Sequence, residues 1–155
     1  MTTEGLKMLF QYNHYAIGVN ARDLTHEESL VGPRPAGNCA NWVLGHIVAT
    51  RGAVLELLGE PPVWDPTEGE AYRRGSAPIV DAARAKPFPE IVQALDRSQE
   101  RLMSGLSRIK EEDLGPAEAK GSLAGKLAVL QFHEAYHAGQ LGLLRRIAGR
   151  KGAIP

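Results

Sequence analysis

Apolar residues recur every three or four positions along four long segments of this chain, which is the period of an amphipathic helix. The segments cover approximately residues 4–24, 38–58, 88–109 and 122–148. No segment alternates between apolar and polar residues with period two over a useful length, so strands are not predicted. The pattern predicts an all-α protein, and four such helices favour a four-helix bundle.

Turn-forming residues separate the four predicted helices. Asn38 and Ser122 are good N-caps for the second and fourth helices. The third opens at Phe88-Pro89, with proline in the first turn. Gly59 is followed by two prolines and ends the second helix, and Gly-Pro-Arg-Pro at residues 32–35 cannot continue the first. The sequence predicts one bundle domain over residues 1–155.

The connection between the second and third predicted helices is unusually long. Its proline-rich composition allows at most a short helix, over residues 67–74. Long connections within compact domains are uncommon and often functional. The aromatic residues Trp64 and Tyr72 make this crossover a candidate lid over a site.

Composition narrows the classes of partner. Lysine and arginine number 18, as do aspartate and glutamate, so no broad electrostatic field favours nucleic acid or an anionic membrane. No apolar run approaches the ~20 residues of a membrane span, and residues 1–10 lack the features of a secretory signal. Cys39 is the only cysteine, which excludes an internal disulfide and a cysteine-rich zinc site. We expect a cytoplasmic protein.

The candidate chemistry lies in three histidines. His133 and His137 are four residues apart on the fourth predicted helix, so both imidazoles can reach one ion. Their shared direction is that of the apolar stripe, and His46 lies on the apolar face of the second helix. Three neutral imidazoles would leave a position open on a metal ion, as in catalytic sites. A single core histidine is more often a hydrogen-bonded packing residue, so the pair carries the inference.

The sequence His-Glu-Ala-Tyr-His at residues 133–137 also matches H-E-x-x-H, the zinc-protease pattern in which the glutamate acts as general base. The metzincin extension fails, because Gln140 stands where glycine is required and Leu143 where the third histidine is required. No aspartate or glutamate follows Glu134, so the alternative carboxylate ligand is missing too. Glu134 lies ~80° from the direction of the histidine pair. We interpret it as a surface or interface salt-bridge residue that could still approach a metal-bound water.

Other polar residues near this pattern have weaker claims. His14 is placed at a helix boundary or the rim of the site, and His26 in a solvated loop. Gln140 either supports the metal site or substrate as a hydrogen-bond partner, or links helices. Lys126 could meet an anionic substrate at the pocket mouth, although a solvated lysine is the simpler expectation. Cys39 is expected to pack as a small apolar residue.

Two stretches, Asn-Trp-Val-Leu-Gly-His-Ile-Val-Ala-Thr-Arg at residues 41–51 and His-Glu-Ala-Tyr-His-Ala-Gly-Gln at 133–140, resemble the signature helices of the DinB/YfiT-like metalloprotein superfamily. The resemblance extends to residues 12–16 and to Pro87-Phe88. It implies a four-helix bundle that binds a divalent metal, often zinc or nickel. The ligands carried over are His46, His133 and His137. Family members are often homodimers, and their activities include thiol S-transfer and thiol-dependent isomerisation.

The leading functional hypothesis is a metal-dependent thiol S-transferase that activates a low-molecular-weight thiol toward an electrophilic small molecule. A metal-dependent hydrolase could use the same three histidines. A metal-binding or interaction protein, in which the ion only stabilises the bundle, is the third possibility. Histidine ligation also predicts loss of the metal on acidification toward about pH 5, because ligation requires neutral imidazoles.

Overall fold

The computed structural model describes residues 1–154 and contains six α-helices. Their bounds are Thr3–Ala21 (α1), His26–Ser29 (α2), Ala40–Leu57 (α3), Phe88–Arg108 (α4), Glu111–Leu114 (α5) and Leu123–Ile147 (α6). Two single 3₁₀ turns, Glu70–Tyr72 and Ala82–Arg84, lie in the connection between α3 and α4. Within residues 1–154 there is no strand, and no helix is both long and apolar enough to cross a bilayer. The all-α prediction is confirmed.

The four long helices form a closed ring. Helix α1 packs on α6, α6 on α3, α3 on α4, and α4 again on α1. The predicted cap of the last helix is present, since the Ser122 hydroxyl accepts a hydrogen bond from the Gly125 N–H. Helix α1 ends at Ala21 rather than at residue 24, and Cys39 rather than Asn38 occupies the N-cap of α3. The predicted bundle is therefore present, with shifts of a few residues at the ends.

Helices α2 and α5 were not expected, because a four-residue helix is too short to show an apolar period. The signal for α2 was its capping box. The Thr25 side chain accepts from the Glu28 backbone N–H, and the Glu28 carboxylate accepts from the Thr25 N–H. The region around His26, expected to be a solvated loop, is therefore an ordered helical turn.

The crossover between α3 and α4 is packed against the bundle. The predicted helix over residues 67–74 reduces to the 3₁₀ turn Glu70–Tyr72. Tyr72 and Trp64 are buried, with ring centroids 5.5 Å apart. The Tyr72 ring lies where a side chain at Gly45 would project, so only glycine fits at that position of α3. Both aromatic rings thus belong to the core and do not form an open lid.

A layer of polar residues crosses the middle of the bundle. The buried apolar side chains form two separate clusters, which occupy successive parts of every long helix. Between the two clusters, each long helix contributes buried polar residues: Asn13 from α1, Arg51 from α3, Ser98 and Gln99 from α4, and Glu134 from α6. Buried polar groups are costly unless paired. The Arg51–Glu134 pair in this layer therefore joins α3 to α6, whereas the Gln99 amide makes no hydrogen bond within residues 1–154.

Candidate metal centre

The side chains of His46, His133 and His137 converge where α3 packs against α6. The Nε2 atom of His133 lies 3.1 Å from the Nε2 atom of His46 and 3.1 Å from that of His137. One ring nitrogen from each of the three residues lies within 4.8 Å of the others. The structure thus brings together the three histidines predicted from the sequence.

The local structure explains the convergence. His133 and His137 are one turn apart on α6 and project from the same side of the helix. Their ring centroids are 4.4 Å apart. On α3, the His46 ring stacks on the Trp42 ring one turn earlier, at 4.7 Å and an interplanar angle of 12°. Packing of α3 on α6 places the stacked imidazole opposite the pair.

Two of the three imidazoles are oriented by a second hydrogen bond. The Nδ1–H of His46 donates to the Tyr72 backbone carbonyl at 2.7 Å. The Nδ1–H of His137 donates to the Gln140 side-chain oxygen at 2.7 Å. A carbonyl oxygen can only accept, so these bonds require the proton on Nδ1 and leave Nε2 as a lone pair. This is the arrangement that metal-binding histidines use.

All three imidazoles are biased toward the neutral form. Burial lowers the pKa of His46 and of His137, against the opposing effect of their hydrogen-bond acceptors. Burial lowers the pKa of His133 to about 4, and the charges of His137, His46 and Arg74 act in the same direction. Neutral imidazole is the form that ligates a metal.

The donor set fits a divalent cation. The lone pairs on Nε2 of His46 and of His137 both face Nε2 of His133 at 3.1 Å, so a proton or a cation must lie between these nitrogens. A tetrahedral ion with metal–nitrogen bonds of ~2.0–2.1 Å keeps its ligand atoms about 3.3 Å apart. Two of the three pairs of histidine nitrogens, at 3.1 Å, are close to that value, and all three nitrogens lie within 4.8 Å of one another. Zinc, nickel and other borderline ions all accept such ligands.

The three histidines lie in the wall of a cavity of about 580 Å³, a size typical of small-molecule sites. Its apolar wall comes mainly from α3 and α6, through Trp42, Val43, Tyr136, Leu143, Leu144 and Ile147. Arg74, from the crossover, is the one charged side chain among the lining residues of the described chain. An ion held by the three histidines would therefore face a space that admits a small molecule.

The DinB superfamily matches residues 20–141, a range that includes all three histidines. The chain belongs to the DinB superfamily. No curated protein matches it. The resemblance found in the signature stretches is thus confirmed over most of the chain, and the three-histidine cluster is compatible with metal binding.

Glu134 forms the salt bridge expected of it, at an interface between helices rather than at the surface. Its side chain is not at a surface, since the residue is only 3% exposed. Its two carboxylate oxygens accept hydrogen bonds from Nε and Nη2 of Arg51, each at 2.7 Å. Arg51 also donates to the Ser98 hydroxyl and the Leu95 carbonyl on α4. In this DinB protein Glu134, the glutamate of the H-E-x-x-H pattern, is therefore paired with Arg51 inside the bundle. It does not line the histidine cavity, where a metal-bound water would lie.

The remaining predicted residues lie at or outside the edge of the centre. Gln140 supports His137 within α6 and does not link two helices. Lys126 is exposed and does not line the cavity. Cys39 is buried, as expected, and burial raises the pKa of its thiol. An un-ionised thiol of this kind is not a nucleophile.

The two other histidines contact helices rather than the cavity. His14 lies at the boundary of α1 and α4, as one alternative predicted, and its Nε2 is 3.3 Å from an oxygen of Asp96. Burial lowers the pKa of His14. His26 is half-buried rather than solvated, and its Nδ1 accepts from the Phe88 N–H at the start of α4. Neither residue lines the histidine cavity.

Sequence reasoning missed three residues that shape the centre. Arg51 lies at the end of the signature stretch 41–51, where a cation within an apolar helical stripe indicates a buried partner. The Tyr72 carbonyl carries no side-chain signal at all. Arg74 lies in a crossover whose path could not be derived from the apolar pattern. All three depend on contacts between residues far apart in the chain.

Proposed function

We propose that this DinB protein is a metal-dependent enzyme of the thiol S-transferase type, acting on a small molecule with a low-molecular-weight thiol. The observation that carries the proposal is the position of the three Nε2 atoms in the wall of a cavity large enough for a ligand. Closed structural sites instead surround their ion with protein ligands. We further propose that it works in the cytoplasm, where thiols are kept reduced.

His46, His133 and His137 would hold the ion, and zinc or nickel suits three imidazoles. When bound, a divalent ion supplies a Lewis acid that lowers the pKa of a thiol and so provides a thiolate at neutral pH. The Tyr72 carbonyl and Gln140 keep two imidazoles in the required tautomer and orientation. Apolar side chains of α3 and α6 line the same cavity and would hold the apolar part of a substrate beside the ion.

The transfer step conserves atoms and electrons in a simple way. The sulfur electron pair forms a bond to an electrophilic carbon of the substrate. The leaving group departs with the electrons of its own bond, and the thiol proton passes to solvent. No residue of the protein is oxidised or reduced.

The residues that line the cavity favour thiol chemistry over hydrolysis. None of the lining residues in the described chain is an aspartate or a glutamate. A general base of that kind is the usual partner of a metal-activated water in hydrolases with H-E-x-x-H. A thiol whose pKa is already lowered needs no such base.

The test combines metal analysis with a reactivity screen. Anaerobically purified protein should contain one divalent ion per chain. Addition of a thiol should change the visible spectrum of the cobalt-substituted protein, and an electrophile should be consumed only when thiol and metal are both present. A cobalt spectrum unaffected by any thiol would contradict the proposal. It would favour the alternative in which the ion only stabilises the bundle.

We also propose that two copies associate, as many members of the superfamily do. Support comes from apolar side chains that α6 leaves exposed. Phe132 is 70% exposed and Val129 59%, and neither of them lines the histidine cavity. Light scattering should give twice the chain mass, and Phe132→Glu should give the monomer mass. A monomeric wild-type protein at micromolar concentration would contradict this proposal.

A further inference from the structure

Arg74, in the crossover between α3 and α4, is the one charged side chain among the described residues that line the histidine cavity. Arg74 lies two residues after the 3₁₀ turn Glu70–Tyr72, whose last carbonyl is bound to His46. It lines the cavity, while its neighbour Arg73 lines a different depression of the surface. The 3₁₀ turn thus presents one of two consecutive arginines to the metal centre.

Arg74 has no protein partner within residues 1–154, since it makes no hydrogen bond and no ion pair there. Arg73 differs, because its Nη2 donates to the Pro66 carbonyl at 3.2 Å. A guanidinium that lacks a partner beside a cavity can take a carboxylate in a bidentate geometry.

The other polar groups of the cavity are also suited to an acceptor. The oxygen of Gln140 is occupied by His137, so its amide nitrogen remains available as a donor. Asn38 adds a second amide to the lining. No acidic residue of the described chain lines the cavity to repel an anion. The same lining includes the apolar side chains of Trp42 and Leu143.

We propose that Arg74 determines specificity by binding the carboxylate of the substrate, and that the substrate is an apolar monocarboxylate. Its apolar part lies against α3 and α6, and its reactive carbon lies near the three histidines. Arg74 is the one charged side chain among the described residues that line the cavity, so one carboxylate of the substrate has a guanidinium to pair with. This inference rests on the proposed function only in taking the histidine cavity as the place of reaction.

The experiment compares two probes of the same shape, 4-phenylbutyrate and 4-phenylbutyramide. Their affinities for the full-length, metal-loaded protein are measured by titration calorimetry. We expect the wild type to prefer the carboxylate by about tenfold. Arg74→Gln should bind both probes alike. Arg73→Gln is the matched control, since it removes a neighbouring charge that does not line the cavity, and it should keep the preference.

Several results would overturn the inference. These are equal binding of both probes by the wild type, no binding of either at millimolar concentration, or a preference that survives in Arg74→Gln. A preference lost equally in both variants would point to general electrostatics instead. The same titrations on chelator-treated protein separate this inference from the proposed function. A carboxylate preference that persists without metal supports Arg74 even if no thiol chemistry is found.

Discussion

Both carboxylate oxygens of Glu134 accept hydrogen bonds from the guanidinium of Arg51, each at 2.7 Å, in the middle of the bundle. Arg51 is 1% exposed and Glu134 3% exposed, so water does not share the pair. Glu134 directly follows His133 along α6, while Arg51 comes five residues after His46 on α3. The ion pair therefore joins the two helices that carry the three histidines. Its role is to position those helices.

Breaking this pair should destabilise the protein. Glu134→Leu or Arg51→Met leaves one charge buried without a partner, and we expect each to lower the free energy of unfolding by about 3–5 kcal/mol. The double variant should lose less than the sum of the single variants, because it removes both charges. Urea unfolding of the four proteins measures the coupling.

Glu134 also distinguishes a hydrolase that uses it as a general base from a protein in which it only positions the helices. If Glu134 were the general base of a hydrolase, Glu134→Gln would abolish activity while leaving stability and metal content unchanged. The structure leads us to expect the opposite, a clear loss of stability. A stable, metal-loaded and inactive Glu134→Gln variant would contradict the positioning role.

Removing one ligand should remove the metal. We expect His137→Ala to lose stoichiometric metal in elemental analysis, because two imidazoles hold an ion far more weakly than three. His26→Gln is the control, since His26 caps the start of α4 and does not line the cavity. Full metal content in His137→Ala would refute the assignment of the site.

The stability of the metal-free protein should depend on pH in a defined direction. Burial lowers the pKa of His133 from 6.5 to about 4, so the unfolded chain binds more protons than the folded one between these values. The stability that neutral His133 contributes is fully present above about pH 6.5 and is lost as the pH drops toward 4. Urea midpoints measured with chelator from pH 4 to 8 test this. His133→Gln should flatten the profile, and an unchanged slope would count against a buried neutral imidazole.

The pH at which the metal is released should depend on protonation of the three histidine ligands. The sequence alone predicts release toward about pH 5. Because the pKa of each ligand imidazole is lowered in the folded protein, protons compete for it only at more acidic pH. We expect the metal to be released at a lower pH than it would be from histidines exposed to water. Elemental analysis after equilibrium dialysis at each pH provides the measurement. Release already near neutrality would contradict this burial effect.

Two glycines of α3 offer a matched test of the crossover. A side chain at Gly45 would overlap the Tyr72 ring, whereas one at Gly52 would meet only the Pro62 Cβ at 3.5 Å. We expect Gly45→Ala to cost about 1–3 kcal/mol of stability and to weaken metal binding. Gly52→Ala should be stabilising by about 0.5–1 kcal/mol, since alanine favours a helix. Equal thermal stability of the two variants would show that Tyr72 moves freely.

The sequence predicted the parts of this molecule that depend on local spacing. The three- and four-residue period indicated the long helices, and the same period placed His133 beside His137. Pairing with His46 also followed, because its helical face was apolar. The partner of Glu134 did not follow, since Arg51 lies 83 residues away in the chain. Likewise, the carbonyl that orients His46 lies 26 residues away, in a crossover with no regular pattern.

Position 45 connects the crossover to the centre in a way that reaches beyond packing. The Tyr72 ring rests on α3 one residue before His46, and the carbonyl of the same tyrosine holds the His46 imidazole. Any ligand that stabilises this orientation of His46 must also stabilise the ordered crossover. Conversely, the ordered crossover strengthens binding of that ligand by the same free energy. Amide exchange over residues 70–76 should therefore slow when the three histidines bind a metal. The crossover would then report on the occupancy of the centre.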